Sequence, residues 1–383
     1  MKILYLISGT NMGGATLSFL TLVDFVKKRG DHPFVVIPDS NSDFINLLKQ
    51  KNIPFFVESL NFFCYPLKEK RNFIKRIVDI ILFLFHEIQN SAKINKIVKT
   101  INPDIIHTNV GPLATGHFVA KKRGIPHIWH IREYGDLDFN LHFFPSKKFF
   151  HKLLNQDTVI SITQDLIKYN ELENNPKAFV VYNGVREKDK IHFLFPKSKF
   201  FLCASRISPE KGQDGIIKGF AKFHEIHPDY KLIILGDGND SFVLSLKELA
   251  RKLNCEDSVI FKGYIRNVSD YMQKATALLV GSHFEGFGRM TAEACFDGSI
   301  VIGRNSGGTQ EILSQTGGFL YDSQDEMLAS MEKVITFSEE TYYSIVQKAQ
   351  LKAQELFSIE TYTEKIYSIY AKALKESSFP NFI

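Results

Sequence analysis

The sequence predicts an α/β protein made of two successive doubly wound, parallel-sheet domains. Short apolar runs alternate with segments of helical periodicity along most of the chain, which is the pattern of βαβ units. At 383 residues the chain is also too long for one ordinary α/β core. Finally, the alternation restarts. A turn signal at Asn183-Gly184 is followed by the charged run Arg186-Glu187-Lys188-Asp189-Lys190, which reads as a solvated linker, and a second series begins behind it.

The first strand is expected at residues 2–8. This stretch is too short for a signal peptide and runs into a glycine turn without a small-residue cleavage site. Further strands are expected at 34–38, 54–58, 105–108, 127–131, 158–162 and 179–182, with helices at 15–29, 43–51, 72–100 and 115–123 between them. On the long helix, Phe73, Ile74, Ile77, Ile80, Ile81 and Leu84 share a face flanked by Arg71, Lys75 and Arg76. Such a stripe is ordinarily core contact, and interfacial membrane binding is the alternative. The second series offers strands at 199–204, 231–235, 259–262, 277–281 and 300–303, and helices at 212–227, 241–253, 268–274 and 289–296. A last helix, from about 360 to 375, has no strand after it. Two such sheets joined near residue 190 would leave a cleft between their strand ends, where doubly wound folds bind ligands.

Composition narrows the classes. With 44% apolar and 23% charged residues the chain is ordinary for a globular protein. No run reaches the roughly 18 apolar residues of a membrane span. Cys64, Cys203, Cys255 and Cys295 are too scattered for a zinc or redox motif, so reduced thiols and a cytoplasmic location are expected. The net charge of +5 comes from residues 1–188, which hold 25 Lys+Arg against 17 Asp+Glu. No nucleic-acid-binding module is present. The basic half suits an anionic membrane surface or a phosphorylated ligand.

Three loops carry candidate chemistry. Ser282-His283-Phe284-Glu285-Gly286-Phe287-Gly288-Arg289-Met290-Thr291-Ala292-Glu293 joins an apolar strand to a helix. The helix start offers free N–H groups to a diphosphate, and Gly286 and Gly288 allow close backbone approach. Glu285 lies in the loop and Glu293 more than a turn inside the helix. One could reach a sugar ring while the other accepts bonds from a ribose, and two surface glutamates are the plainer alternative. Arg206-Ile207-Ser208-Pro209-Glu210-Lys211-Gly212 also follows a strand, and its two cations could neutralise a leaving diphosphate or simply be solvated. Thr10-Asn11-Met12-Gly13-Gly14 follows the first strand but lacks the Gly-x-Gly-x-x-Gly spacing of dinucleotide binders.

In that order, Gly13-Gly14, Arg206-x4-Lys211-Gly212, Glu285-x7-Glu293 and Gly307-Gly308-x-x-Glu311 resemble the retaining GT-B glycosyltransferases of family 4. The resemblance runs from Lys2 to about Tyr370. It implies the GT-B fold, two Rossmann-like domains facing a central cleft: 1–188 for the acceptor, 189–360 for the nucleotide-sugar, and 361–383 as a helix packing back toward the first domain. It also implies that Arg206 and Lys211 hold the donor diphosphate and Glu293 bonds the ribose. Glu285 would meet the transferred sugar, and the backbone from Phe287 through Gly288, Met290 and Thr291 would line sugar and phosphates. Members work without a metal or other cofactor and retain anomeric configuration. A UDP-sugar is the favoured donor over a GDP-sugar, with a lipid-linked or other sugar acceptor in surface polysaccharide assembly and peripheral contact with an anionic membrane.

In the first domain, many members carry a histidine where this chain has Asn109, in His107-Thr108-Asn109. The next strand ends in Trp129-His130-Ile131-Arg132-Glu133. His130 is the candidate for orienting or deprotonating the acceptor hydroxyl, and Arg132 for binding acceptor or pairing with Glu133. Asp136-Leu137-Asp138 spells a metal-binding Asp-x-Asp of a different glycosyltransferase fold, with nothing else to accompany it. Leu235-Gly236-Asp237-Gly238 reads as a turn near the nucleotide base. A non-catalytic sugar- or nucleotide-binding protein, an epimerase and a phosphorylase are the alternatives on the same fold.

Overall fold

The computed structural model describes residues 1–10, 13–40, 42–60, 62, 64–66, 73–109, 111–139 and 141–378. It divides into two compact units, Met1–Tyr182 with Tyr362–Ile383, and Asn183–Thr361.

The first unit is built on strands β1 (Lys2–Ile7), β2 (His32–Ile37), β3 (Phe55–Val57), β4 (Cys64–Pro66), β5 (Ile105–Asn109), β6 (His127–Ile131), β7 (Leu141–Phe143), β8 (Thr158–Ser161) and β9 (Ala178–Val180). Seven of them form one sheet in the order β3-β2-β1-β5-β6-β8-β9, and every pair in it is parallel. The strand order reverses between β1 and β5, so the carboxyl ends of these two strands form a switch point. Both faces of this sheet are covered, which is why its strands read as unbroken apolar runs. Leu4, Leu6 and Ile106 pack on one side with Ile94, Ile97 and Val98 of the helix Phe73–Ile101. Tyr5, Ile128 and Ile160 pack on the other with Phe19 and Val23 of the helix Gly14–Lys28. The same layer takes in Tyr362, Ile366 and Tyr370 from the C-terminal helix Ile359–Ser378. β4 and β7 form a separate antiparallel pair absent from the sequence reading; three-residue strands give too short a period to detect.

The second unit has strands β10 (Ser198–Ala204), β11 (Lys231–Leu235), β12 (Val259–Phe261), β13 (Ala275–Val280), β14 (Val301–Arg304) and β15 (Phe319–Tyr321), ordered β12-β11-β10-β13-β14-β15 and all parallel. Its switch point lies between β10 and β13. Helices Gly307–Thr316, Gln324–Ile335 and Glu339–Leu356 complete the unit between the strand read at 300–303 and the C-terminal helix, where the sequence reading placed none.

Two sequence readings need correction. The charged run at 186–190 is not wholly a solvated linker, because it is stitched into the second unit. Val185 N–H donates to Phe357 O at 2.9 Å and Ile359 N–H to Arg186 O at 2.8 Å. The long helix does not bury its expected stripe: Ile77, Ile80, Ile81 and Leu84 are exposed, Ile81 by 60%. The side chains of Phe73 and Ile74, and the flanking Arg71, lie outside the described residues. Among the described residues no helix is long and apolar enough to cross a membrane.

Candidate active site

In the second unit, the loops after β10, β13 and β14 converge on one another through backbone. Gly212 has φ of +66°, and a Cβ there would stand 2.1 Å from Gly281 O. His283 N–H donates to Glu210 O at 2.9 Å, which joins the first loop to the second. Ser306 Oγ donates to Ser282 O at 2.9 Å and Gly308 N–H to Glu285 O at 2.7 Å, which joins the second to the third. These contacts explain the glycines: the loops meet main chain to main chain, leaving no room for side chains between them.

This convergence places Lys211 Nζ 2.8 Å from Glu285 Oε2, with both side chains about one-fifth exposed. A cation from the β10 loop and a carboxylate from the β13 loop therefore face each other at the switch point. Arg206 is more exposed and pairs with Glu210 at 2.6 Å. Gly288, with φ of +87°, caps the helix Arg289–Phe296. A Cβ on it would come within 3.3 Å of Thr309 Oγ1 and 3.4 Å of Thr291 Oγ1. Both hydroxyls are buried and have no hydrogen-bond partner, so two unsatisfied donors stand near the starts of two helices, where backbone N–H groups are also available. Gly286 and Met290 are half-buried in this turn, and Phe287 is buried with its ring 5.8 Å from that of Phe357.

Glu293 is buried and held by two arginines. Arg289 Nε lies 2.8 Å from Oε1, and Arg186 lies 3.1 Å from Oε2 and 3.4 Å from Asp297. Each oxygen of an ionised carboxylate can accept two bonds, so the pairing leaves acceptor capacity for a ligand hydroxyl. Arg289 was legible as an i,i+4 partner of Glu293. Arg186, Thr309 and Ser306 carried no sequence signal as site residues.

In the first unit, Gly13 and Asn109 stand at the switch point after β1 and β5. Gly13 is exposed, caps the helix that Gly14 begins, and has nothing within 4 Å of a would-be Cβ; Asn11 and Met12 lie outside the described residues. Asn109 is buried, and its Oδ1 accepts from Arg132 Nε at 3.0 Å. Arg132 also donates to Tyr362 OH at 2.9 Å. His130 sits in this same buried layer, 1% exposed, with Nδ1 3.4 Å from Arg132 and Nε2 unpartnered. The register pairs Asn109 with His130, so both project to the face covered by the C-terminal helix. His107 Nδ1 is 2.7 Å from Tyr370 OH, which in turn is 3.1 Å from Tyr5 OH. Burial first, and then the Arg132 charge, hold His107 and His130 well below the usual histidine range, so both rings are neutral.

Asp136 is engaged by Tyr169, by Leu137 N–H at 3.0 Å and by Lys147 at 3.6 Å. A separate cluster joins His117, His127 and Asp157. Asp157 Oδ2 lies 2.7 and 2.6 Å from the two Nδ1 atoms and accepts Trp129 Nε1–H at 2.9 Å. An indole N–H aimed at that oxygen suits a buried hydrogen-bonded carboxylate, since indole cannot ligate a metal. Asp237 Oδ1, in the turn after β11, accepts Tyr264 N–H at 2.9 Å.

Residues 185–354 match the protein family described as Glycosyl transferases group 1. An N-acetyl-alpha-D-glucosaminyl L-malate synthase of Bacillus anthracis is 24% identical over 57% of this chain and 61% of its own length. An uncharacterized 42.6 kDa protein in the cps region of Klebsiella pneumoniae is 24% identical over 94% of this chain and 96% of its own. The chain spans between 33% and 61% of the length of the first three curated relatives it matches. The crystal structure of Anabaena Alr3699/HepE in complex with UDP superposes with a TM-score of 0.80 at 22% identity, covering 97% of this chain and 100% of that one.

Proposed function

We propose that this chain, whose residues 185–354 belong to the glycosyl transferases group 1 family and whose two units carry the GT-B fold, transfers a hexose-type sugar from a nucleotide-sugar to an acceptor in cell-surface polysaccharide assembly. A UDP-sugar is the donor; the likeness to a protein crystallised with UDP supports that base. The acceptor is lipid-linked, and the enzyme works at the inner face of an anionic membrane. The transferred sugar keeps its configuration, and no metal takes part.

The observation that carries this reading is the Lys211–Glu285 pair at the β10/β13 switch point, set beside two helix starts with unsatisfied Thr291 and Thr309 hydroxyls. A departing nucleoside diphosphate leaves with added negative charge. Lys211 and Arg206 offset that charge, and the two threonines with the backbone after Gly288 complete a fixed set of donors. Fixed dipoles and cations need no reorganisation when the glycosidic bond breaks, which is how they lower the barrier. Glu285 then lies where the sugar departs, and its carboxylate stabilises positive charge growing on the ring. Glu293, fixed by Arg186 and Arg289, accepts from the ribose.

The test is the melting temperature of the full chain with UDP, GDP and ADP added separately, for the wild type and Glu293→Gln. A ligand at a hundredfold its dissociation constant adds about 2.7 kcal/mol to the folded state. The expected result is a rise with UDP that Glu293→Gln diminishes. No shift with any of the three nucleotides would overturn the donor site.

A further inference from the structure

The helix Phe73–Ile101 changes polarity along its length. In its second half Ile94, Ile97, Val98 and Ile101 face the core of the first unit, while Lys96 and Lys99 face outward, as in any surface helix. In its first half the order is inverted. Ile77, Ile81, Leu84 and Ile88 follow one another at spacings of four, three and four, which places them on one line of the helix. That line points away from the protein: Leu84 is exposed by 53%, Ile81 by 60% and Ile88 by 70%, with Phe85 beside them at 55%. The inward face of the same turns begins with Phe83, half-buried with its ring 5.0 Å from that of Phe144, and then becomes polar. Glu87 is buried there, accepting from Ser91 at 3.0 Å and Thr115 at 3.1 Å, next to a buried Asn90.

An exposed apolar line of this size calls for a cover. The charges that flank it along the sequence indicate which. In sequence, Lys68, Lys70, Arg71, Lys75 and Arg76 precede the line, with Glu69 as the one acid among them. At the far end stand the outward Lys96 and Lys99. The segment's own carboxylates, Asp79 and Glu87, lie off the line. An apolar strip with cations before and behind it matches the acyl boundary of a bilayer bearing anionic headgroups. A second copy of this chain would instead bring the same positive charge to the contact. At 1.5 Å per residue the twelve residues reach about 18 Å, too short to span a bilayer but long enough to lie in its surface.

We propose that residues 77–88 form an in-plane anchor that seats the first unit in the headgroup region of an anionic membrane. This names the surface behind the membrane-held acceptor of the reading above and rests on it in that respect, while binding itself involves no sugar.

The experiment is co-sedimentation of the full chain with vesicles of phosphatidylcholine alone or with one-third phosphatidylglycerol, at low and high salt. The variant is Ile81→Glu/Ile88→Glu, two outward positions whose change leaves the core intact. The expected result is binding to the anionic vesicles, at least tenfold weaker on neutral vesicles and in the variant, with the UDP-dependent rise in melting temperature unchanged. Equal sedimentation of wild type and variant would overturn the proposal. So would a wild-type dimer in gel filtration that the variant dissociates, since the cover would then be a second copy. A variant that keeps its nucleotide response but loses vesicles separates this inference from the donor site; a wild type that binds vesicles without any nucleotide response removes only the donor site.

Discussion

The N–H of Gly308 donates to the carbonyl oxygen of Glu285 at 2.7 Å, and a Cβ on Gly308 would stand 2.2 Å from Phe287 O. The neighbours it would strike are all backbone, so no side chain can turn aside. Gly308→Ala is expected to cost about 1–3 kcal/mol in urea denaturation and to weaken UDP binding at least tenfold. Gly215→Ala is the control: its Cβ meets nothing within 4 Å inside the helix Gln213–Ile226. That change should be neutral or stabilise by up to about 1 kcal/mol. Equal losses from both would sink the close-contact argument.

Lys211→Met removes the cation facing Glu285. Both partners are partly solvated, so stability should move by less than about 1 kcal/mol. Turnover of a nucleotide-sugar should instead fall on the order of a hundredfold or more, the usual cost of deleting one pre-placed charge-stabilising group. Donor turnover within threefold of wild type would remove Lys211 from the reaction.

Glu87 gives a pH signature. Burial pushes its carboxyl up to about 7 against the hydrogen bonds from Thr115 and Ser91, from an ordinary value of 4.5. Between those values the folded state keeps a proton that the unfolded chain has lost, so stability falls as pH rises from about 4.5 to 7 and stays reduced above. Glu87→Gln should therefore gain on the order of 3 kcal/mol over wild type at pH 8 and almost nothing at pH 4.5. A pH-independent difference in urea midpoints would contradict this.

Tyr370→Phe deletes one hydroxyl and strands two buried partners, His107 Nδ1 and Tyr5 OH. Leaving buried polar atoms unsatisfied costs about 1–3 kcal/mol. Denaturation by urea at pH 7 reads this directly, and a change under 0.5 kcal/mol, as rough scatter for a surface substitution, would mean that the network carries no stability.

The two doubly wound sheets were legible because burial on both faces writes strands as plain apolar runs separated by helical periods. The same fact concealed what the side chains do. In β6, His127 to Ile131 are all buried, so nothing in the pattern says that His130 turns toward the C-terminal helix and ends beside Arg132. The candidate loops after β10 and β13 could be read as strand-to-helix turns. That Lys211 meets Glu285 while Arg206 stays with Glu210 depends on strand order, and β10 and β13 are neighbours only in space. Arg186 hid inside a run of charges that looks solvated, and only the fold brings it to Glu293 and Asp297. The long helix failed in an instructive way: its stripe had the right period, but periodicity gives a face and not the direction it points.

Tyr362, Ile366 and Tyr370 belong to the core of the first unit although the whole second unit lies between them and Tyr182. A growing chain therefore emerges with one layer of its opening sheet incomplete, the helix Gly14–Lys28 in place but its C-terminal neighbour missing. Residues 183–361 leave the ribosome as a contiguous block and can fold while the earlier segment still waits. That layer is completed only when the helix Ile359–Ser378 arrives, so the sides of Tyr5, His107 and Arg132 that meet Tyr370 and Tyr362 stay open to water and to chaperones throughout that interval.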